Sequence, residues 1–241
     1  MSSGRLKKKV LKKIDNQEVI KIIYKKLKRI NLIKDVIIAT SNNRLDDDIE
    51  NFCLKNNMNI FRGSLENVLE RFYYASLTKM PNHILRITGD CPLIDEKIIK
   101  KIINCHLKNN NNYTSNTIDP YYPDGMDAEI FDFNSLVKTY LNAKKKYEKE
   151  HVTPYIYENQ KKFKIMNVKN RRNLSNYRIT LDYIEDYQLI CKIIRLLKKE
   201  KLQNNLNNII SVIDKYDLHK INSKYTRNES FINDKKKEKN F

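Results

Sequence analysis

Glycine is scarce in this sequence, with four residues among 241, where an average composition would give roughly seventeen. Each remaining glycine is therefore expected in a connection, where it permits a positive φ or the close approach of a ligand. The four are Gly4, Gly63, Gly89 and Gly125. Long apolar runs are absent too, and none approaches the length that spans a bilayer. We therefore expect no membrane anchor and no membrane partner.

Paired cysteines are also missing, because the four cysteines are widely scattered and none forms a Cys-x-x-Cys motif. We expect free, mostly buried thiols rather than disulfides or a zinc site. The basic N-terminus is followed by neither a sustained apolar segment nor a small-residue cleavage site. This pattern excludes a secretory signal and predicts a cytoplasmic protein.

Positive charge is abundant, and the formal net charge is +18. Such a value ordinarily suggests a nucleic acid or another anionic partner. The lysines are, however, spread along every predicted helix among many asparagines and isoleucines, and no basic stripe is interleaved with aromatic residues. We interpret the charge as a compositional bias and expect no nucleic-acid partner.

Short apolar strands alternate with amphipathic helices along most of the chain. The runs at 35–41, 58–61 and 84–87 are each followed by a helical pattern. This alternation predicts an α/β fold with a doubly wound, mostly parallel sheet. We assign residues 1–225 to one domain, and we expect the polar, basic tail at 226–241 to be disordered.

Two carboxylates each end an apolar run just before a helix. Asp90 follows the run at 84–87, and Asp182 follows a predicted strand at 177–181. Ligands of open α/β sheets bind at the carboxyl ends of the strands, so the two aspartates could meet there and hold a hard cation. The alternative is that Asp90 only makes a turn or caps the next helix.

Three further features suggest a function, and two of them also allow a purely structural explanation. Residues 1–13 contain six basic side chains and no acid, which fits a phosphate cradle or a frayed terminus. The loop at 118–125 contains two prolines and a glycine, which restrict its shape, and we expect it to form one wall of a substrate site. His151 lies on a predicted helix at 149–158, where a histidine is more often packed or solvated than functional.

Six stretches carry a family resemblance that extends from Met1 to about Ile221. They are Ser3-Gly4-Arg5-Leu6 with Lys9-Val10-Leu11, Ile38-Ala39-Thr40-Ser41, Phe61-Arg62-Gly63-Ser64 with Asn67-Val68-Leu69-Glu70-Arg71, Arg86-Ile87-Thr88-Gly89-Asp90-Cys91-Pro92-Leu93-Ile94, Tyr122-Pro123-Asp124-Gly125-Met126-Asp127, and Glu150-His151-Val152-Thr153-Pro154-Tyr155. With these stretches the sequence resembles cytidylyltransferases of the spore coat polysaccharide biosynthesis protein F type. That family is related to the acylneuraminate and 3-deoxy-manno-octulosonate cytidylyltransferases.

The resemblance implies a nucleotide-diphospho-sugar transferase fold, which is GT-A-like and Rossmann-like. It implies a nucleotidyltransferase that uses CTP to activate a sugar, typically a 2-keto-3-deoxy acid, for a surface polysaccharide or glycan such as that of a spore coat. The products would be a CMP-sugar and pyrophosphate. Mg²⁺ would be the cofactor, and relatives suggest a homodimer.

The resemblance also implies roles for particular residues. Arg5 and Lys9 would bind the triphosphate, and Asp90 and Asp182 would be the magnesium ligands. The nucleotide pocket would be lined by Ala39, Thr40, Ser41, Arg62, Gly63, Ser64, Thr88 and Gly89. The sugar would face Tyr122, Asp124, Asp127, Glu150 and His151. His151 is the candidate base for the sugar hydroxyl, since its unperturbed pKa suits that task.

The chain departs from the family pattern at three places. Lys7-Lys8 stands where the family has Pro-Gly, which removes backbone freedom from the phosphate loop, and Tyr183 replaces a small residue after Asp182. Relatives also have an apolar strand ending in Ala-Arg before the position of Met1. We therefore expect either a start roughly ten residues upstream or a truncated and poorly active homologue.

Two other classes of function compete with this interpretation. A glycosyltransferase of the same fold would hold its metal at an Asp-x-Asp motif, which Asp46-Asp47-Asp48 superficially supplies. Its position at the start of an amphipathic helix favours a solvated helix N-terminus instead. The second rival is an inactive homologue that keeps the fold and acts as a binding protein.

Overall fold

Strands and helices alternate through most of the computed structural model, which describes residues 6–239. The strands are Lys13–Ile14 (β1), Gln17–Glu18 (β2), Ile37–Ser41 (β3), Asn59–Gly63 (β4), His83–Arg86 (β5), Tyr113–Ser115 (β6), Glu129–Asp132 (β7) and Ile165–Asn167 (β8). The helices are Val19–Lys28 (α1), Asp47–Lys55 (α2), Val68–Leu77 (α3), Glu96–Asn109 (α4), Phe133–Asn142 (α5), Lys146–His151 (α6), Pro154–Glu158 (α7), Ile184–Lys199 (α8), Leu206–Lys215 (α9) and Glu229–Lys239 (α10). Short 3₁₀ turns occupy Lys9–Leu11, Arg44–Asp46 and Leu218–Ile221. The predicted α/β alternation is confirmed.

The described strands form three sheets. β3 and β4 pair in parallel, so that Ile37 lies opposite Asn59 and Ser41 opposite Gly63. A mixed sheet has the order β5-β7-β6-β8, with β7 antiparallel to both of its neighbours and β6 parallel to β8. β1 and β2 form a small hairpin. The predicted nucleotide-binding residues lie at the carboxyl ends of β3 and β4 and directly after β4 and β5.

The largest hydrophobic core is built around α4, α8 and α9. Ile99, Ile102, Ile193 and Ile209 are all fully buried in it. These residues recur at helical spacing, because one apolar face of each helix must be removed from water. A second core joins α3, α5 and α7 to the mixed sheet, with Phe131 at its centre.

The predicted strand at 177–181 is not a regular strand, and this expectation is wrong. Among residues 6–239, this segment forms one isolated parallel bridge, between Arg178 and Asp124, and no longer ladder. The backbone N–H of Ile179 donates to the carbonyl of Asp124 at 2.7 Å, whereas that of Leu181 donates to Asp90 at 2.9 Å. These two hydrogen bonds thus go to two different connections in the described part of the chain.

The predicted helix at 149–158 is broken in two. α6 ends at His151 and α7 begins at Pro154, because Val152 adopts a φ of 72° and a ψ of −54°. The N–H of Thr153 donates to the carbonyl of His151 at 2.9 Å, which closes a γ-turn around Val152. Proline then starts the next helix, where its missing N–H costs nothing.

The tail that we expected to be disordered contains α10, which packs against α6. The ring of Phe231 meets the rings of Tyr147 and His151 edge to face, at 6.0 and 5.2 Å between centroids. Lys235 Nζ donates to Glu158 at 2.6 Å. Composition alone predicts disorder here because few apolar residues are present, but the helix gains partners from a neighbouring element.

Candidate active site

Lys9 lies between the two carboxylates that the sequence places before helices. Its Nζ donates to Asp90 Oδ2 at 2.7 Å and to Asp182 Oδ1 at 2.8 Å. The exposed fractions of the three side chains are 17%, 21% and 16%. Two hard oxygen ligands therefore converge on one cation, and a residue of the predicted phosphate-binding segment is brought to the same point.

The charges of this cluster stabilise one another. Burial by itself would raise the pKa of Asp90, but the ammonium of Lys9 and its hydrogen bond outweigh burial and lower that pKa to about 2. Burial would lower the pKa of Lys9, yet the two aspartates raise it well above its usual value. Asp90 and Lys9 are therefore both ionised at neutral pH and attract each other.

Gly125 permits the close approach that positions Asp182. Its φ is 103°, and a Cβ atom there would lie 2.6 Å from the carbonyl carbon of Ile179 and from the amide nitrogen of Thr180. No real Cβ comes so close to backbone atoms, so only glycine lets the 118–125 loop lie against the segment that ends in Asp182. This is one of the positions where the sequence predicts that glycine is required.

Arg178 is a central residue of the site that the sequence reasoning missed. Its guanidinium donates to both carboxylate oxygens of Asp186 at 3.0 and 2.9 Å, to Asp124 at 2.8 Å and to Asp182 at 3.3 Å. Asp186 is fully buried, and it also accepts from the backbone N–H groups of Asp182 and Tyr183 at 2.9 Å each. A signal was present, since Arg178 stands in an apolar run with aspartates four and eight residues later.

The predicted sugar-binding loop presents two carboxylates in a buried setting. Burial raises the pKa of Asp124 to about 6 and that of Asp127 to about 7, although Arg227 and, at Asp124, also Arg178 oppose the shift. Arg227 pairs with Asp127 and donates to the carbonyl of Tyr122 at 2.9 Å. Arg227, which we expected in a disordered tail, thus contacts both Tyr122 and Asp127.

The stretch from Glu150 to Tyr155 is anchored to the mixed sheet by a hydroxyl. Thr153 Oγ1 donates to Glu129 Oε1 at 2.6 Å, and the strained γ-turn at Val152 lies directly before it. Backbone strain of this kind persists only where the surroundings impose it, and it clusters at functional sites. His151 Nε2 lies 3.2 Å from Asp234 Oδ2, and Glu150 is close enough to complete a group within 4.8 Å.

Glu129, like Arg178, contacts several residues near the site and was not identified from the sequence. It pairs with Arg86, which lies opposite it in the β5–β7 ladder, and it accepts a hydrogen bond from the hydroxyl of Tyr113 at 2.5 Å. Arg86 and Glu129 lie in β-strands whose sequences are mostly apolar, and only the tertiary structure shows that they pair. Together they hold the sheet edge from which Thr88, Gly89 and Asp90 emerge.

The predicted nucleotide pocket is built at the carboxyl ends of β3 and β4. The hydroxyls of Thr40 and Ser41, which follow Ala39 in β3, donate to Asp46 at 2.7 and 2.6 Å. Gly63 ends β4, and the hydroxyl of Ser64 accepts from the N–H of Asn67 at 3.0 Å. These contacts set the shape of the turns before α2 and α3.

Arg62 makes hydrogen bonds and ion pairs within the same predicted nucleotide pocket. Its guanidinium donates to the carbonyls of Ser41 and Asn43 at 2.9 Å each, and it pairs with Asp47 at 2.7 Å and Glu50 at 2.5 Å. Arg62 therefore ties the end of β4 to the turn after β3. A cytidine contact would have to use the donors that these four partners leave.

Thr88 and Gly89 lie beside the Lys9 cluster, as the sequence implies. The hydroxyl of Thr88 is 3.2 Å from Cys91 Sγ, and a Cβ at Gly89 would lie 3.2 Å from Val10. Arg5, the other predicted triphosphate ligand, lies outside the described residues. The structure therefore brings Lys9, Gly89, Asp90 and Asp182 into one cluster.

The Asp46-Asp47-Asp48 run does not converge on one point. Asp46 is buried and accepts from Thr40 and Ser41, Asp47 pairs with Arg62, and Asp48 pairs with Lys8 at 2.5 Å. Three carboxylates with three separate sets of partners do not form a metal site. This arrangement removes the main support for the glycosyltransferase alternative.

Tyr183, which departs from the family pattern, has a structural role. Its ring stacks on that of Tyr225 at 3.6 Å between centroids, and its hydroxyl donates to Glu229 at 2.7 Å. A small residue at this position would offer neither contact. Tyr183 therefore connects the start of α8, next to Asp182, with the C-terminal part of the chain.

Comparison with known proteins identifies the family of this chain. A family model described as cytidylyltransferase matches residues 1–221. A protein of Methanocaldococcus jannaschii, MJ1063, is 39% identical over 218 residues, which cover 88% of this chain and 86% of that protein. The spore coat polysaccharide biosynthesis protein SpsF of Bacillus subtilis is 30% identical over 197 residues, which cover 79% of this chain and 81% of that protein. None of the helices within residues 6–239 could cross a membrane.

Solved structures agree with the family match. A cytidylyltransferase from Leptospira borgpetersenii is 32% identical, with a TM-score of 0.83 over 92% of both chains. A CMP:2-keto-3-deoxy-manno-octonic acid synthetase solved with CTP is 13% identical, with a TM-score of 0.58 over 81% of this chain and 95% of that one. The second likeness shows the fold alone. With a family match over most of its length and the Lys9 cluster in place, this chain belongs to the cytidylyltransferase family and is a nucleotidyltransferase that uses CTP.

Proposed function

We propose that this cytidylyltransferase activates a sugar acid of the 2-keto-3-deoxy class with CTP, giving a CMP-sugar and pyrophosphate for the synthesis of a surface polysaccharide. The observation that carries the proposal is the convergence of Asp90 and Asp182 on Lys9 Nζ. Nucleotidyl transfer needs positioning and charge neutralisation more than a covalent nucleophile, and this cluster offers both. The name of the SpsF relative agrees with the polysaccharide context.

The donor set of the cluster suits Mg²⁺. Asp90 and Asp182 provide hard carboxylate oxygens, and both are held by other groups, Asp90 by Lys9 and Asp182 by Lys9 and Arg178. Mg²⁺ is typically held by one or two carboxylates together with substrate phosphates. Bound there, the ion would neutralise charge on the phosphate oxygens of CTP.

The remaining residues account for the steps of the reaction. The acceptor oxygen forms a bond to the α-phosphorus, the bond from that phosphorus to the bridging oxygen breaks, and pyrophosphate leaves with the electron pair. Lys9 stays protonated and attracts the charge on the leaving group. His151 receives the proton of the acceptor hydroxyl, with its ring oriented by Asp234.

The proposal is tested by following pyrophosphate release from CTP with different acceptors. We expect turnover with an acid such as 3-deoxy-manno-octulosonate or N-acetylneuraminate, a CMP-sugar as the product in phosphorus NMR, and loss of turnover when Mg²⁺ is chelated. ATP, GTP and UTP serve as controls and should be used at least about tenfold less efficiently. Turnover with neutral sugars but not with acids would show that the acceptor class is wrong.

A further inference from the structure

The C-terminal segment, which we define as residues 222–239, lies beyond the part of the chain that the family model matches. It nevertheless contacts three elements of the site. Arg227 pairs with Asp127, Glu229 accepts from Tyr183, and Asp234 lies on His151. The segment thus lies against the predicted acceptor side of the site although it is outside the matched residues.

Only the beginning of this segment is buried. The amide of Asn222 donates to Asp186 at 2.8 Å and to the carbonyl of Arg178 at 3.1 Å, which fixes the segment to the centre of the site. From residue 225 to residue 238 every side chain is half-buried or exposed. A segment that is held mainly by polar contacts at the surface opens at a lower free-energy cost than a buried core element.

Arg227 has unused hydrogen-bonding capacity at this place. A guanidinium has five N–H donors, and its contacts with Tyr122 and Asp127 are made by the two terminal nitrogens. The Nε atom of Arg227 is buried and has no acceptor within residues 6–239. A buried donor without a partner is costly, and an oxygen of a ligand would satisfy it.

Arg227 also balances a strongly negative surrounding. The charged groups that act most on Asp127 are Arg227 itself and the carboxylates of Asp124, Glu129 and Asp90. An acceptor that carries a carboxylate would meet repulsion from these three groups and from Asp127. A guanidinium beside Asp127 is the arrangement that permits an anionic acceptor there.

We propose that the C-terminal segment is a clasp over the acceptor side of the site and that its Arg227 binds the acid group of the acceptor. This inference rests on the proposed function, because it concerns the acceptor of that reaction. Arg227 becomes a specificity-determining residue that selects acids over neutral sugars. The nucleotide side of the site is left unaffected.

The test compares Arg227→Ala and Arg227→Lys with Lys224→Ala as the matched control. Lys224 lies in the same segment, but it pairs with Glu185 at the surface of α8. With 3-deoxy-manno-octulosonate as the acceptor, Arg227→Ala should raise the acceptor KM about tenfold or more and change the KM for CTP less than about twofold. Arg227→Lys should fall between, and Lys224→Ala should behave like the unaltered chain.

The possible results separate this inference from the proposed function. An equal rise of both KM values, an effect of Lys224→Ala as large as that of Arg227→Ala, or an unchanged acceptor KM would overturn the role of Arg227 alone. Absence of turnover by the unaltered chain with every sugar acid would remove the proposed function and this inference together. Melting temperatures of all three variants show whether a loss of activity comes from unfolding. If Arg227→Ala unfolds, the acceptor KM of Arg227→Lys decides whether Arg227 binds the acid group.

Discussion

Lys9 occupies the point at which the Asp90 and Asp182 carboxylates converge. Two carboxylates that approach one point repel each other unless a cation lies between them, and Lys9 supplies that cation. Because the lysine comes from the segment that should cradle phosphates, the same charge can serve the leaving pyrophosphate. The cluster is thus assembled before any substrate binds, which lowers the cost of ordering it during the reaction.

We predict that Asp90→Asn and Asp182→Asn each lower kcat by about 100-fold or more, because a neutral amide is a poor ligand for a hard cation. Pyrophosphate release at saturating CTP over a range of Mg²⁺ concentrations measures the effect. Asp48→Asn is the control, since Asp48 pairs with exposed Lys8 outside the cluster. Normal turnover by either cluster variant would remove that residue from the metal site.

Lys8 adopts a conformation that favours glycine. Its φ is 53° and its ψ is 33°, which is the left-handed region, and it stands where the family has the glycine of Pro-Gly. A non-glycine residue pays about 1–2 kcal/mol there, whereas its exposed ion pair with Asp48 contributes little. The family's glycine therefore has a backbone reason, and the chain tolerates the substitution at a cost in stability.

We predict that Lys8→Gly raises the free energy of unfolding by about 0.5–1 kcal/mol, because relief of the left-handed conformation exceeds the added entropy of the unfolded chain. Urea denaturation followed by circular dichroism measures it. Lys7→Gly is the matched control, since Lys7 is not among the residues with positive φ and glycine there brings only the entropic loss. A lower stability of Lys8→Gly than of Lys7→Gly would contradict the argument.

At the scale of elements, the break between α6 and α7 is a device that presents Glu150 and His151 at the end of a helix. The γ-turn at Val152 ends α6, and Pro154 starts α7 in a new direction. Thr153 then fixes the break to the sheet through Glu129. A continuous helix would keep one axis here, whereas the chain turns after His151.

We predict that Thr153→Val lowers the free energy of unfolding by about 1–2 kcal/mol and lowers kcat/KM for the acceptor, because the buried hydrogen bond to Glu129 is lost without a replacement. Chemical denaturation and the pyrophosphate assay measure the two effects. Thr78→Val is the control, since its hydroxyl donates to the carbonyl of Ala75 at the end of α3. If both variants lose the same fraction of activity, the link between Thr153 and the site is wrong.

The α10 helix shows how an element can depend on a neighbour rather than on its own composition. Its sequence is rich in lysine and has little apolar surface, so it would not form a stable helix alone. The ring of Phe231 and the pairs formed by Asp234 and Lys235 give it partners on α6 and α7. Its order should therefore vary with salt, since charged contacts weaken as ionic strength rises.

At the scale of the whole molecule, we expect pH to act on stability through a buried histidine, His106, whose pKa is lowered by burial although Asp132 opposes the shift. His106 is fully buried on α4, with Nδ1 3.1 Å from the hydroxyl of Thr114 and Nε2 3.1 Å from Nδ1 of His83. Burial, followed by the nearby His83, lowers the pKa of His106 to about 4. Above pH 6.5 the ring is neutral in both the folded and the unfolded chain, so His106 has no effect on stability there.

We predict that His106 makes the free energy of unfolding fall as pH decreases from about 6.5 to about 4, by roughly 2–3 kcal/mol in total. The unfolded chain binds a proton in this range and the folded chain does not. Urea denaturation at several pH values should therefore give a flatter profile for His106→Gln than for the unaltered chain. His219→Gln, which changes an exposed ring, should leave the profile as it is; a flattening of equal size would refute the assignment.

Much of the fold and part of the site could be predicted from the sequence. The strands β3, β4 and β5 and the helices that follow them were predicted because apolar periodicity is a local property of the chain. The convergence of Asp90 and Asp182 was predicted because both precede helices at the end of apolar runs. The predicted strand before Asp182 was wrong for a physical reason: strand pairing depends on which backbone groups are nearby, and here they belong to two separate connections.

The sequence by itself determined the α/β alternation, the need for glycine at position 125 and the family to which the chain belongs, since each of these follows from local patterns of residue type. It was wrong about Gly63, which lies at the end of β4 and not in a connection. Only the tertiary structure decided that Lys9 lies between the two aspartates, that Arg178 and Glu129 are hubs, and that Arg227 reaches Asp127. The physical reason is that an ion pair is set by distance in space. Arg227 and Asp127 are one hundred residues apart along the chain, and no periodicity links them.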